Sequence, residues 1–292
     1  MSSNQVPEQA RPGVRIIRSA ERSTWRDSAL LSRQSFPATG NFDMEGNAFG
    51  LLMVHNDDVV APGEGFDMHE HRNVELVTWV MDGALRHRDD GGSITGATGA
   101  EATLEPGMAQ HISAGHGIRH SELNASGYLA GKKLRVIQAW LPPTTADTEP
   151  RHSETDLTEA LSDGLLHPVA SGTPDRAPLT IGTEGATLWA GRIPAGRTVD
   201  VPVDAFVHLY VAAGTAELHG LPDAGPPESP AETPGASTSE APTESPAATP
   251  STTTVVLEEG DVARLTGFAA APSLTATTDT EVLIWVMDRG IG

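Results

Sequence analysis

From Phe49 onward the apolar residues fall in short runs, each closed within a few positions by Gly, Pro, Asn or Asp. Short strands joined by turns produce that pattern, and many of them in series favour an all-β sandwich or barrel. Residues 49–54, 74–81 and 134–140 are the strongest strand candidates, and 13–17 is a shorter one. Asp82-Gly83 closes one apolar run and residues 84–88 lead away from it, the order expected of a hairpin. Residues 1–12 are polar and predict a disordered N-terminus, while 144–153, after Pro142-Pro143, reads as a linker or crossover. Residues 23–41 mix polar and apolar positions without a period and predict no element.

The second half repeats the first in two places. Val77-Thr78-Trp79-Val80-Met81-Asp82-Gly83 aligns with His208-Leu209-Tyr210-Val211-Ala212-Ala213-Gly214, and Leu104-Glu105-Pro106-Gly107 with Leu257-Glu258-Glu259-Gly260. Two similar barrels are therefore expected, over 13–143 and 144–292. The matched glycines stand 24 positions apart in the first half and 46 in the second, so about 22 residues have been inserted. The inserted stretch, about 221–253, is rich in Pro, Ala, Ser, Thr and Glu and has no Lys or Arg. Its apolar content is too low to offset the entropy of ordering, which predicts a disordered loop within a hairpin connection.

The chemistry concentrates in the first half. Gly65-Phe66-Asp67-Met68-His69-Glu70-His71 sets two imidazoles two residues apart, hence on one face of a strand. Ile118-Arg119-His120-Ser121-Glu122 repeats that spacing with an imidazole and a carboxylate. Imidazoles and a carboxylate converging from facing strands describe a first-row transition-metal site, here a cup inside the first barrel. Glu75 competes with Glu122 for the carboxylate position, because it lies an even step from His71; alternatively it orients an imidazole from behind. Only one of Gln110 and His111 can point inward. His116, in the turn Ala114-Gly115-His116-Gly117, is expected near the mouth of the cup, and His87, just after the hairpin turn, is read as solvated. Carried across the repeat, His69 and His71 fall on Asp200 and Pro202, and His120 and Glu122 on Ser273 and Thr275. The second barrel is thus expected to be a degenerate copy without a metal.

Composition narrows the choice of partners and metals. The chain of 292 residues has no cysteine, which removes disulfides and thiolate ligands. Three imidazoles and a carboxylate leave two positions open on an octahedral ion. Fe(II) suits such donors, and Ni(II), Mn(II), Cu(II) and Zn(II) also accept them. The net charge of −20, from 19 basic and 39 acidic residues, argues against nucleic acid or an anionic membrane as partner. The polar N-terminus has no signal-peptide pattern and no apolar run reaches transmembrane length, so a cytoplasmic protein is expected.

Several blocks resemble the pirin family of bicupins. They are Val59-Val60-Ala61-Pro62-Gly63-Glu64-Gly65-Phe66, His69-Glu70-His71-Arg72, Glu75-Leu76-Val77-Thr78-Trp79-Val80 and Gly83-Ala84-Leu85-Arg86-His87-Arg88-Asp89. Pro106-Gly107, Ser113-Ala114-Gly115 and Gly117-Ile118-Arg119-His120-Ser121-Glu122 continue the series, so that the resemblance covers most of 49–142. It implies two cupin β-barrels packed face to face, with one mononuclear metal, commonly iron, in the first. The family's ligands fall on His69, His71, His120 and Glu122. Members of the family include enzymes that open the flavonol quercetin with dioxygen and release carbon monoxide; others resemble redox-sensitive regulators that bind protein partners. Two residues depart from the family pattern: Glu70 stands where Pro is frequent, and His116 where Arg or Thr is frequent, which bears on the entrance and the substrate.

The expectation is a quercetin 2,3-dioxygenase-type enzyme. Its partners would be a small aromatic chelating substrate and dioxygen, with Glu122 serving as ligand and proton acceptor. The alternative is a non-enzymatic, redox-sensitive regulator acting by protein–protein binding. A chain that pairs two barrels internally is expected to be a monomer.

Overall fold

The computed structural model describes residues 13–36, 43, 46–92, 99–222 and 252–291. The expectations for residues 1–12 and for most of the insert fall outside that range. Eleven strands form the first half of the described chain: β1 (Gly13–Ile17), β2 (Ser23–Arg26), β3 (Leu30–Gln34), β4 (Val54–Val60), β5 (Gly65–His71), β6 (Glu75–Asp82), β7 (Leu85–Asp89), β8 (Glu101–Leu104), β9 (Met108–Ser113), β10 (Ile118–Asn124) and β11 (Leu134–Leu141). The second half holds β12 (Arg151–Asp156), β13 (His167–Ser171), β14 (Leu179–Thr180), β15 (Ala186–Ile193), β16 (Thr198–Asp200), β17 (Phe206–Ala213), β18 (Thr215–Pro222), β19 (Thr252–Glu258), β20 (Val262–Thr266), β21 (Ser273–Ala276) and β22 (Thr280–Met287). Two short 3-10 turns are the only helical elements among the described residues, and no helix there is long and apolar enough to cross a membrane.

Each barrel closes a seven-stranded sheet over a four-stranded one. The first has the orders β12-β9-β6-β11-β4-β3-β2 and β5-β10-β7-β8; the second has β1-β20-β17-β22-β15-β13-β14 and β16-β21-β18-β19. This is the expected all-β, two-barrel cupin architecture. The repeat is visible in the pairing itself, since His69 lies opposite His120 just as Asp200 lies opposite Ser273. It is visible in the hairpins too. Gly83 and Gly214 have φ of 80° and 81°, and a Cβ at either would run into a carbonyl, that of Lys133 or of Asp279. Only glycine combines that φ with so close an approach.

Two strands cross the expected division at residue 143. The N-terminal β1 pairs with β20 in the second barrel, and β12 pairs with β9 in the first. Residues 151–153, read as linker, are therefore part of an edge strand. β18 and β19 pair with one another, so 223–251 connects two neighbouring strands of a hairpin.

The two seven-stranded sheets pack face to face. Val77, Trp79, Ile137 and Ala139 meet Leu188, Ala190, Tyr210, Leu283 and Trp285 in one apolar layer. A polar network pins one edge of it. Asp57 accepts hydrogen bonds from Arg135 Nε at 2.9 Å and Nη2 at 2.8 Å, and from the Tyr210 hydroxyl at 2.7 Å. Although burial alone would raise the Asp57 pKa, these donors hold it below the usual carboxylate range.

Alternation fills the barrel interiors. On β6, Val77 and Trp79 face the other barrel, whereas Leu76 and Val80 point into the first barrel and join separate apolar clusters. Thr78 lies between them and bonds to buried Glu122, so the first barrel holds a polar belt between two greasy ends. The second barrel is filled by Val199, Val201, Leu218, Leu257 and Leu274 with their neighbours.

Candidate metal centre

The four-stranded sheet of the first barrel carries three pairs of side chains at two-residue spacing. They are His69 and His71 on β5, His120 and Glu122 on β10, and His87 and Asp89 on β7. β10 runs between the other two strands, with His120 opposite both His69 and Asp89 and Glu122 opposite His87. Side chains at every second residue share a face, so cross-strand register gathers them without any long loop.

His69, His71 and His120 offer nitrogens that all lie within 4.8 Å of one another. Their ring centroids are 4.5 to 5.0 Å apart, and the Nε2 atoms of His69 and His71 are separated by 2.9 Å. His69 Nδ1 sits 2.7 Å from the Asp67 carbonyl oxygen. A carbonyl can only accept, so Nδ1 bears the proton and Nε2 keeps a free lone pair aimed at its two neighbours. His120 is fully buried, and neither of its ring nitrogens has a partner among the protein's atoms. A buried polar atom without a partner is costly, and a metal at the junction of the three rings would satisfy it. Burial, reinforced by neighbouring imidazoles, lowers the pKa values of His71 and His120 to about 3, which leaves both rings neutral at neutral pH. Neutral imidazole is the ligating form. His71 also packs edge-on against Trp140, with ring centroids 4.9 Å apart.

Glu122 forms an overlapping group with His120 and His87. Its Oε1 accepts from Gln110 Nε2 and, at 3.4 Å, from the Thr78 hydroxyl, and its Oε2 accepts from Gln138 Nε2 at 2.7 Å. The Gln138 amide is oriented from behind, because the Trp140 indole N–H donates to its Oε1 at 2.8 Å. Burial pushes the Glu122 carboxyl above its ordinary pKa, partly offset by the Gln138 bond and by nearby imidazoles. The donor set is thus imidazole and carboxylate, which fits a first-row divalent metal.

The remaining sequence candidates lie elsewhere. Glu75 does not share the face of His71. Asn73, between β5 and β6, has a φ of 49°, and the interrupted strand turns Glu75 toward the second barrel. There it accepts from His111 Nε2 at 2.6 Å, Ser113 Oγ at 2.7 Å and the Gly182 amide at 2.7 Å. Gln110 is the inward member of its pair, and His111 faces Glu75. His116 lies in its turn 3.3 Å from Glu149 and outside the clustered imidazoles. His87 corrects the sequence reading outright. It is fully buried, with its ring centroid 5.7 Å from that of His120. The signal was present in the alternation of β7, where Leu85, His87 and Asp89 are buried and Arg86 and Arg88 exposed.

A family model described as Pirin matches residues 17–141. A Mycobacterium tuberculosis protein named "Putative quercetin 2,3-dioxygenase" is 35% identical over 280 residues, covering 96% of this chain and 97% of its own. A "Pirin-like protein" of Caulobacter vibrioides is 34% identical over 197 residues, covering 66% of this chain and 79% of its own. Among solved structures, the bacterial pirin YhhW of Escherichia coli in complex with nickel(II) superposes with a TM-score of 0.71 at 22% identity. That likeness spans 96% of this chain and all of the other, and it concerns the fold.

Proposed function

Since this chain belongs to the pirin family, we propose that His69, His71, His120 and Glu122 hold one divalent metal, Fe(II), and that the site opens a flavonol ring with dioxygen. The observation that carries this reading is the convergence of three imidazoles, one of them the buried, unpartnered His120. The names of the relatives support the reaction class. The chemistry such a metal supplies when bound is Lewis acidity toward the adjacent hydroxyl and carbonyl oxygens of a flavonol, together with access to dioxygen at its open positions.

The chain's own residues do the rest. His69 is held by the Asp67 carbonyl and His71 by Trp140, so that neither ring needs to be ordered when ligand arrives. Glu122 Oε2, aligned by Gln138, receives the proton of the substrate hydroxyl, and burial has already raised its affinity for that proton. Gln110 and Thr78 hold the other carboxylate oxygen in place during the transfer. Trp140 and the apolar cluster around Val54, Leu76 and Ile112 limit water on that side of the cup.

Metal analysis of the purified protein, then dioxygen uptake with quercetin after Fe(II) loading, tests this reading. The expected result is uptake coupled to carbon monoxide release, abolished in His71→Ala together with the metal and strongly reduced in Glu122→Ala. One tightly held Fe(II) without uptake overturns the dioxygenase reading.

A further inference from the structure

We propose that His87, Asp89 and His152 form a second cation position inside the first barrel, taking a divalent transition metal such as Zn(II). Their donor atoms all lie within 4.8 Å of one another, and none belongs to the His69, His71, His120 and Glu122 set. His87 Nε2 stands 2.9 Å from Asp89 Oδ2, the same separation as between the two Nε2 atoms of His69 and His71. Metal–ligand bonds of about 2.1 Å place adjacent donors about 3.0 Å apart in octahedral geometry and about 3.4 Å apart in the tetrahedral geometry that Zn(II) favours, so a small opening of the pair admits the ion. Without an ion the His87–Asp89 pair is a hydrogen bond from Nε2–H to Oδ2, and an ion that displaces that proton meets two donors already turned toward each other.

The surroundings prepare these residues for that role. Asp89 Oδ1 is occupied by the amides of Gly91 at 2.8 Å and Ala100 at 2.9 Å, which leaves Oδ2 as the single outward donor and fixes its direction. His87 is fully buried, so its ring is held in place with Nε2 toward Asp89. His152 arrives from the edge strand β12, whose pairing with β9 sets it opposite Ile112. It is partly buried, which gives an ion a route to the position. The His87 and His152 rings stack in parallel, with centroids 4.4 Å apart and planes at 4°. Ligation asks the His152 ring to turn out of that stack. Its ring bond, from Nε2 to Gln110 Oε1 at 3.4 Å, is long and resists little. Since Gln110 also bonds Glu122, occupancy of the second position reaches the first through one amide.

The test is a Zn(II) titration of the metal-free, full-length protein, by calorimetry and by metal analysis after desalting. Wild type is expected to bind two equivalents. His152→Phe, which keeps an aromatic ring on His87 but removes the nitrogen donors, should bind one, and Asp89→Asn should weaken the second equivalent by at least about ten-fold. His69→Ala should lose the other equivalent instead. One equivalent in wild type, or two undiminished equivalents in folded His152→Phe, overturns the proposal. Circular dichroism checks that the variants fold. The stoichiometry is read without quercetin, so failure of the dioxygenase reading leaves this result standing on its own.

Discussion

His55 offers a direct test of the interface between the barrels. It is fully buried on β4, with its ring 4.6 Å from that of His208 and 4.9 Å from that of Tyr210. Burial, helped by the Arg22 charge, lowers its pKa from 6.5 to about 3. At about pH 7.5 neither folded nor unfolded chain holds a proton there. At about pH 5 the unfolded imidazole is almost fully protonated while the folded one is not, so the unfolded state gains a proton and stability falls. Integrated over that interval, the loss from His55 alone is about 2 kcal/mol. Asp58 works in the opposite direction. Burial pushes its carboxyl up to about 7, so the folded state retains a proton that the unfolded state has shed, and stability from this group grows as pH falls toward 4. The wild-type profile is therefore a difference of opposing contributions, and the informative quantity is a comparison with His55→Leu. His55 Nε2 has no partner, and leucine removes only the long contact of Nδ1 with the half-buried Ser35 hydroxyl at 3.4 Å, a loss common to both pH values. Denaturant unfolding at the two pH values should show that the variant loses about 2 kcal/mol less than wild type on acidification. Equal losses in both proteins would refute the argument that His55 is held neutral by the interface.

Three further outcomes are expected. Tyr210→Phe removes a buried hydroxyl that donates to Asp57 and accepts from Arg22 at 3.2 Å, and should cost about 1.5–3 kcal/mol in denaturant unfolding with an unchanged m value. Gly83→Ala combines a left-handed φ with a collision at the Lys133 carbonyl and should destabilise by more than about 1 kcal/mol, read as a lowered Tm. Metal at about one hundred times its Kd for the three-imidazole position should stabilise the folded chain by about 2.7 kcal/mol, an increment that chelator removes and that His71→Ala lacks.

The parts of this molecule governed by local spacing could be read from the sequence. His-x-His and His-x-Glu reach one face because a strand repeats every two residues, and Asp82-Gly83 turns because a left-handed glycine is required there. The parts governed by long-range pairing could not. Gly13-Val14-Arg15-Ile16-Ile17 announces a strand, but nothing in those residues says that its partner lies at Val262–Thr266. The polar β12, Arg-His-Ser-Glu-Thr-Asp, has no apolar alternation, so its sequence is that of a linker and nothing in it singles out His152. Counting through residues 72–74 as one continuous strand puts Glu75 on the face of His71. The positive φ of Asn73 shows why parity cannot be carried through a break.

The exchange of β1 and β12 between barrels means that no single cut separates this chain into two closed pieces. A protease nick near residue 146 would release no fragment. The upstream piece keeps its first strand sewn into the sheet downstream of the cut, and the downstream piece keeps β12 sewn into the sheet upstream. The two pieces should elute together in gel filtration until denatured. Either piece made by itself would present a bare sheet edge, at β9 or at β20, seeking the strand that only the other can supply.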